Sequence, residues 1–293
     1  GKTHELMVLE AGSGKVLQRV GLPANADLEP APNSVSEQIL HPDKEGQLSF
    51  TGLTFSPDGS RIYLANVQGN LKVFSVNAGK VESSFTIPLP PSGLSTRKSD
   101  LPAGIAVSAD GQRIYVALNL SNRLAELNAA DGKVLRLWDV GVAPFGVTSV
   151  GRKWYVSNWG GRRPGPADLT GPAGRGTKVR VDSVRHISNE GSVSVIDLED
   201  ASGLGVAPKT ILTGLHASAM DLDPNKHWLV VANSGSDTLT VIDTRTDKIV
   251  ETIWARMKPS DLFGAQPNAL AFDKSGRTLF VCNGTQNAVA VFH

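Results

Sequence analysis

Apolar and polar positions alternate in short runs along the chain, and the runs recur together with their turns. Four segments superpose without gaps: Gly52–Asn66, Gly104–Leu118, Ala219–Asn233 and Ala269–Asn283, each covering the same 14-residue step. A fifth, Gly146–Asn158, is two residues shorter because its turn has contracted to Gly151-Arg152-Lys153. Turns such as Pro57-Asp58-Gly59 and Ala109-Asp110-Gly111 combine a φ-restricting or neutral residue, a side chain that bonds its own backbone and a glycine that tolerates positive φ. They fix a hairpin between a first strand, A, and a second, B. The B runs are Ile62-Tyr63-Leu64-Ala65-Asn66, Trp154-Tyr155-Val156-Ser157-Asn158, Leu229-Val230-Val231-Ala232-Asn233 and Leu279-Phe280-Val281-Cys282-Asn283. Their small fourth residue permits close packing, and the Asn is placed to close the next turn. Blade two departs, with Leu118 there and Asn119 one place later. A further run, Glu126-Leu127-Asn128 or Val241-Ile242-Asp243, is strand C, and Lys80, Lys133 and Lys248 then open strand D. Four short antiparallel strands in units of about 40 residues predict an all-β chain of β-propeller blades.

The shared B-strand ending resembles the YVTN-repeat β-propeller family over essentially the whole chain, 1–293, read as one propeller domain. The stretches 118–127, 156–164 and 260–269 further resemble YncE-type propellers fused ahead of an alkaline-phosphatase-like phosphoesterase domain. That resemblance implies an exported bacterial protein, periplasmic or attached to the cell surface. It also implies that phosphate-ester hydrolysis, with its metal-binding motifs, belongs to a domain outside these residues.

Counting strands sharpens the architecture. The N-terminal run Glu5–Glu10 followed by Lys15 reads as strands C and D, and the C-terminal run Ala288–His293 ends on strand C. Two strands, four complete blades and three strands make most of a seven-bladed ring and the expectation of a longer parent chain; six blades with ragged ends is the alternative. Strand parity then sorts the connections. A–B and C–D turns lie on one face of the disc, B–C and D–A connections on the other. The long D–A connections Pro23–Ser49, Pro88–Leu101 and Ala255–Gln266 and the B–C insertion Trp159–Glu190 all fall on one face, whereas the milder C–D excursion Glu199–Pro208 falls opposite. Long loops in a compact domain concentrate function, so that face is expected to meet a ligand, a partner protein or a companion domain.

Composition changes this picture little. The 293 residues are 40% hydrophobic and 19% charged with a net charge of +1, an ordinary globular balance. Cys282 is the one cysteine, which excludes an internal disulfide and cysteine-built metal or haem sites. No apolar run approaches the roughly 18 residues that would span a bilayer. Charge is nonetheless uneven. The 159–190 insertion has six basic residues, Arg162, Arg163, Arg175, Lys178, Arg180 and Arg185, against Asp168, Asp182 and Glu190. Arginine forks match carboxylate or phosphate, and Trp159 and His186 are ring surfaces, so an anionic small molecule or a glycan is one reading. In the other, favoured, reading the arginines fasten the loop to neighbouring blades, or to a further domain, through backbone carbonyls and acids. His216, just before a strand A, and Asp261 and Asn268, in and after the last D–A connection, complete the candidate set, each also explicable by packing or turn capping.

Catalytic signatures are missing: there is no Gly-x-Ser-x-Gly elbow, no His-Glu-x-x-His pair and no Walker loop, and the six histidines lack metal-ligand spacing. Gly12-Ser13-Gly14-Lys15 imitates a phosphate loop but stands where every other blade has its C–D turn. No cofactor or metal is expected. The favoured function is a noncatalytic propeller that binds or positions through its loop-rich face. The alternative is a propeller enzyme of the lactonase type with polar groups at the axial channel. Nucleic acid is disfavoured by the near-neutral total charge.

Overall fold

The computed structural model describes residues 5–22, 48–95, 97–173, 176–198, 207–256, 258 and 260–293. The connection 23–47, the excursion 199–206 and Arg175 lie outside the described residues.

The strands fall in the expected order. β1 (Glu5–Leu9) pairs with β2 (Val16–Gly21). Blade 1 is β3 (Leu48–Phe55), β4 (Arg61–Asn66), β5 (Asn70–Asn77) and β6 (Lys80–Pro88), an antiparallel meander. A small hairpin, β7 (Pro91–Leu94) and β8 (Arg97–Ser99), lies within the next D–A connection. Blade 2 is β9 (Pro102–Val107), β10 (Arg113–Leu118), β11 (Arg123–Asn128) and β12 (Val134–Asp139). Blade 3 contains β13 (Pro144–Val150) and β14 (Lys153–Asn158), is interrupted by the hairpin β15 (Thr170–Pro172) and β16 (Lys178–Arg180), and resumes with β17 (Gly191–Asp197) and β18 (Lys209–Thr213). Blade 4 is β19 (Ala217–Leu222), β20 (Trp228–Asn233), β21 (Thr238–Asp243) and β22 (Lys248–Trp254). A three-stranded fifth blade follows: β23 (Pro267–Phe272), β24 (Leu279–Asn283) and β25 (Ala288–Phe292). The two hairpins inside connections are the addition that the repeat pattern did not contain.

The inner strands β3, β9, β13, β19 and β23 adjoin one another in succession, which makes the assembly a propeller. Glycine permits this approach at the axis. A Cβ on Gly52 would stand 2.4 Å from Ala103 O, and one on Gly104 would stand 2.5 Å from Phe145 O. Farther out, the core is built between blades. Tyr63, Leu71 and Ile87 of blade 1 meet Ile114, Val116 and Leu127 of blade 2, and Tyr155, Val193 and Ile211 of blade 3 meet Leu229 and Val231 of blade 4. Each such buried aliphatic contributes about 2 kcal/mol of transfer free energy. The β1–β2 hairpin covers part of blade 1 through Leu6, Val8 and Val20, and Gln18 exchanges two hydrogen bonds with the Val81 backbone.

The conserved geometry of the turns explains their residues. Asp58 accepts from the Ser56 hydroxyl and from Ser60 N, and Asp110 accepts from the Ser108 hydroxyl and Gln112 N. The B-strand asparagines turn inward to close the B–C turn: Asn233 Nδ2 donates to Thr238 and Thr240, and Asn158 Nδ2 to Ser192 and Ser194. Shifted by one, Asn119 instead donates to Pro144 O of the next blade.

Candidate functional site

Loop residues of three blades converge in a cleft of about 620 Å3 lined by Phe145, Trp159, His216, Ser234, Asp237 and Phe263, among others. These come from B–C connections, D–A connections and the starts of inner strands, so the two classes of connection share a face. A–B and C–D turns meet in a second cleft of about 510 Å3 that includes Asp58, Asp110 and Asn128. The parity argument therefore holds.

Trp159, directly after β14, and His216, directly before β19, stack with ring centroids 3.7 Å apart and planes 6° from parallel. The backbone aims the histidine. His216 has φ +56, a left-handed conformation shared with Ala143 and Gln266 at the same blade position. Its carbonyl accepts from Ser234 N and the Ser234 hydroxyl. Gly235 leaves room for the ring, since a Cβ there would lie 2.7 Å from His216 Nδ1. Burial holds the imidazole below its ordinary value of 6.5, so it is neutral at neutral pH.

Asp237 anchors the opposite wall. It is buried, its Oδ2 accepts from Gly264 N at 2.6 Å, and its Oδ1 accepts from Gln266 N at 2.9 Å. The connection 255–266 is thereby pinned over the cleft with Phe263 at its edge. Arg256 lies between the Trp254 and Phe263 rings, 4.4 Å from each centroid, and its guanidinium donates to Asp261 O.

Of the sequence candidates, Trp159, His216 and Asn268 come together in this cleft. Asp261 instead shapes the connection behind it, its carboxylate accepting from Lys258 N at 2.9 Å. Arg162, Arg163, Arg180 and Arg185 stand apart and are occupied. Arg162 forms a two-pronged pair with Glu190, Arg180 lies 2.6 Å from Asp168, and Arg185 lies 2.9 Å from Asp182. Arg163 donates to Val140 O and Asn122 O and meets Asp139 at 3.1 Å. Burial works to raise the Glu190 carboxyl, but hydrogen bonds from Arg162 and the charges of Arg162 and Arg180 hold it below the usual carboxylate range. His186 is exposed at φ +54 in a turn closed on Asp182.

Sequence reasoning missed Phe145, Ser234, Asp237 and Phe263. The pattern shows Asp237 at the B–C turn position that Gly69 and Asn122 occupy in other blades, all with positive φ. An Asp there has a turn role as well as a contact role, and only the fold separates them.

Among the described residues, no group of three His, Cys, Asp or Glu side chains is placed to hold a metal. No helix among the described residues is long and apolar enough to cross a membrane. A comparison with curated proteins finds no match. Over residues 180–293 the chain is similar to a family described as lactonase, 7-bladed beta-propeller, in agreement with the propeller architecture.

Proposed function

We propose that this propeller binds rather than transforms its ligand, and that the Trp159–His216 cleft is the seat for a neutral polar ring such as a sugar. The single observation carrying this is the division of labour among the cleft groups. The one carboxylate there, Asp237, is taken up by two backbone N–H groups, and the Ser218 and Ser234 hydroxyls donate to Ala232 O and His216 O. What faces the void is ring surface from Trp159, Phe145 and Phe263, the uncharged His216 and the exposed Asn268. Aromatic faces with a few hydrogen-bonding groups suit a polar, uncharged ring. A companion domain, such as the phosphoesterase the YncE-type resemblance implies, would dock on the same loop-bearing face.

A lactonase-type hydrolase is the second reading, favoured by the family similarity, which spans His216, and by that neutral imidazole beside a void. There His216 would be the base that activates water. One experiment addresses both. Titration with neutral oligosaccharides, followed by tryptophan fluorescence, is expected to saturate and to fail in Trp159→Ala, with no acceleration of δ-gluconolactone hydrolysis. Turnover lost in His216→Asn would replace the binding reading by the hydrolase.

A further inference from the structure

Blade junctions carry a polar lock that is complete in one place and open in another. Between blades 3 and 4, the Asp247 carboxylate stands 2.9 Å from Lys153 Nζ and 2.7 Å from the Tyr155 hydroxyl, and Thr244 O accepts from both. Lys153 and Tyr155 are the first and third residues of β14. At the same positions of β4 stand Arg61 and Tyr63. The turn they face, 128–132, repeats 243–247: Gly132 N donates to Asn128 O as Asp247 N does to Asp243 O, and both residues are left-handed, at φ +73 and +52. Arg61 Nη1 donates to Ala129 O at 2.8 Å, as Lys153 donates to Thr244 O.

Two groups differ: Lys209 Nζ, 3.7 Å from Asp247, has Phe85 as its counterpart in blade 1, with Arg61 5.8 Å from that ring's centroid, and the carboxylate itself is missing. Glycine occupies its place in blade 2, and a Cβ on Gly132 would stand 2.7 Å from Ile87 Cγ2. Among the described residues the Arg61 guanidinium has no acid partner and the Tyr63 hydroxyl no hydrogen-bond partner, and both line the cleft of about 510 Å3 on the turn-bearing face. We infer that this cleft binds a small carboxylate, one oxygen on the Arg61 guanidinium and one accepting from the Tyr63 hydroxyl, standing in for the absent aspartate.

Guanidinium pairs readily with carboxylate, and a group taken from water into a half-enclosed cleft gains from the second donor. The rest of the lining sets the charge it accepts. Arg113 is directed to Glu126 at 3.5 Å, while Asp58 and Asp110, each held by donors of its own turn, leave negative charge at the rim. The cleft thus favours a monocarboxylate over a multivalent anion.

The test is a titration of the intact chain with sodium acetate, against sodium chloride at equal ionic strength, followed by thermal unfolding and by NMR shifts of the Arg61 side chain. Acetate is expected to bind saturably and more tightly than inorganic phosphate. Tyr63→Phe, which keeps the buried ring and removes the hydroxyl, should weaken acetate about five- to tenfold. Asp247→Ala should open an equivalent vacancy at the blade 3–4 junction, and acetate should then recover part of the stability lost. If that variant does not fold, the Tyr63→Phe comparison decides alone. Absence of saturation, phosphate binding as tightly as acetate, or equal affinity in Tyr63→Phe would overturn the assignment.

Discussion

Two connections on one face of the disc handle their length in opposite ways. The insertion 159–190 carries charge and pairs three of its arginines internally, Arg162 on Glu190, Arg180 on Asp168 and Arg185 on Asp182, with Arg163 tied to Asp139 of blade 2. The connection 255–266 carries rings. Asp237 pins it by two backbone N–H groups, Arg256 is clasped between Trp254 and Phe263, and Phe263 and Leu262 remain 71% and 90% exposed. A dense run of arginines here marks a loop that has been fastened, while the exposed ring surface beside the cleft is what the proposed saccharide seat draws on.

The contrast is best broken at Glu190. Its side chain is 12% exposed and Arg162 is 42% exposed, so losing the acid strands a cation that solvent partly screens. Glu190→Ala is expected to cost about 2 kcal/mol in thermal or denaturant unfolding. Arg185→Ala, which removes an exposed pair, should leave the midpoint unchanged; equal effects of the two would mean that the insertion is not held by its ion pairs. Phe263→Ala strips one of the two rings from Arg256 and should cost about 1 kcal/mol, while abolishing the saccharide response of the cleft. A stability loss without loss of that response would make the ring purely structural.

The smallest effect is expected from pH. The imidazole of His216 resists protonation in the folded chain, whereas the unfolded chain takes up that proton as pH falls through about 6.5. Stability contributed by the neutral ring is therefore fully present above that value and is lost on acidification below it. Comparing melting temperatures of the native chain and His216→Gln between pH 5 and 8 isolates this slope, and identical slopes would contradict it.

What the sequence made legible follows from where the causes are local. Pro57-Asp58-Gly59 and its counterparts carry their turn chemistry within a few residues, so strand order and the sorting of connections onto two faces could be read directly. The stacking of Trp159 on His216 joins two blades across 57 positions and has no local signature. Asp237 reads as one more turn residue until its partners, Gly264 and Gln266, arrive from the next blade. The charge of the insertion was plain, but which acid each arginine takes depends on how β15 and β16 fold back. Gly132 shows the same limit in reverse: the missing carboxylate is visible on alignment with Asp247, yet it signifies a vacancy only because Arg61 and Tyr63 lie across the junction.

The close passage of Gly52 and Gly104 against neighbouring carbonyls has a practical corollary. At these two junctions the gap between modules is gauged by the neighbouring main chain, with the small Ala65 Cβ also 2.3 Å from where a Cβ on Gly52 would stand, leaving little to trim or swell in compensation when a sequence drifts. Adding one methyl there jams the chassis, whereas segments projecting from its rim are open to exchange, so grafted recognition loops belong on this scaffold outside the hub and never at those two positions.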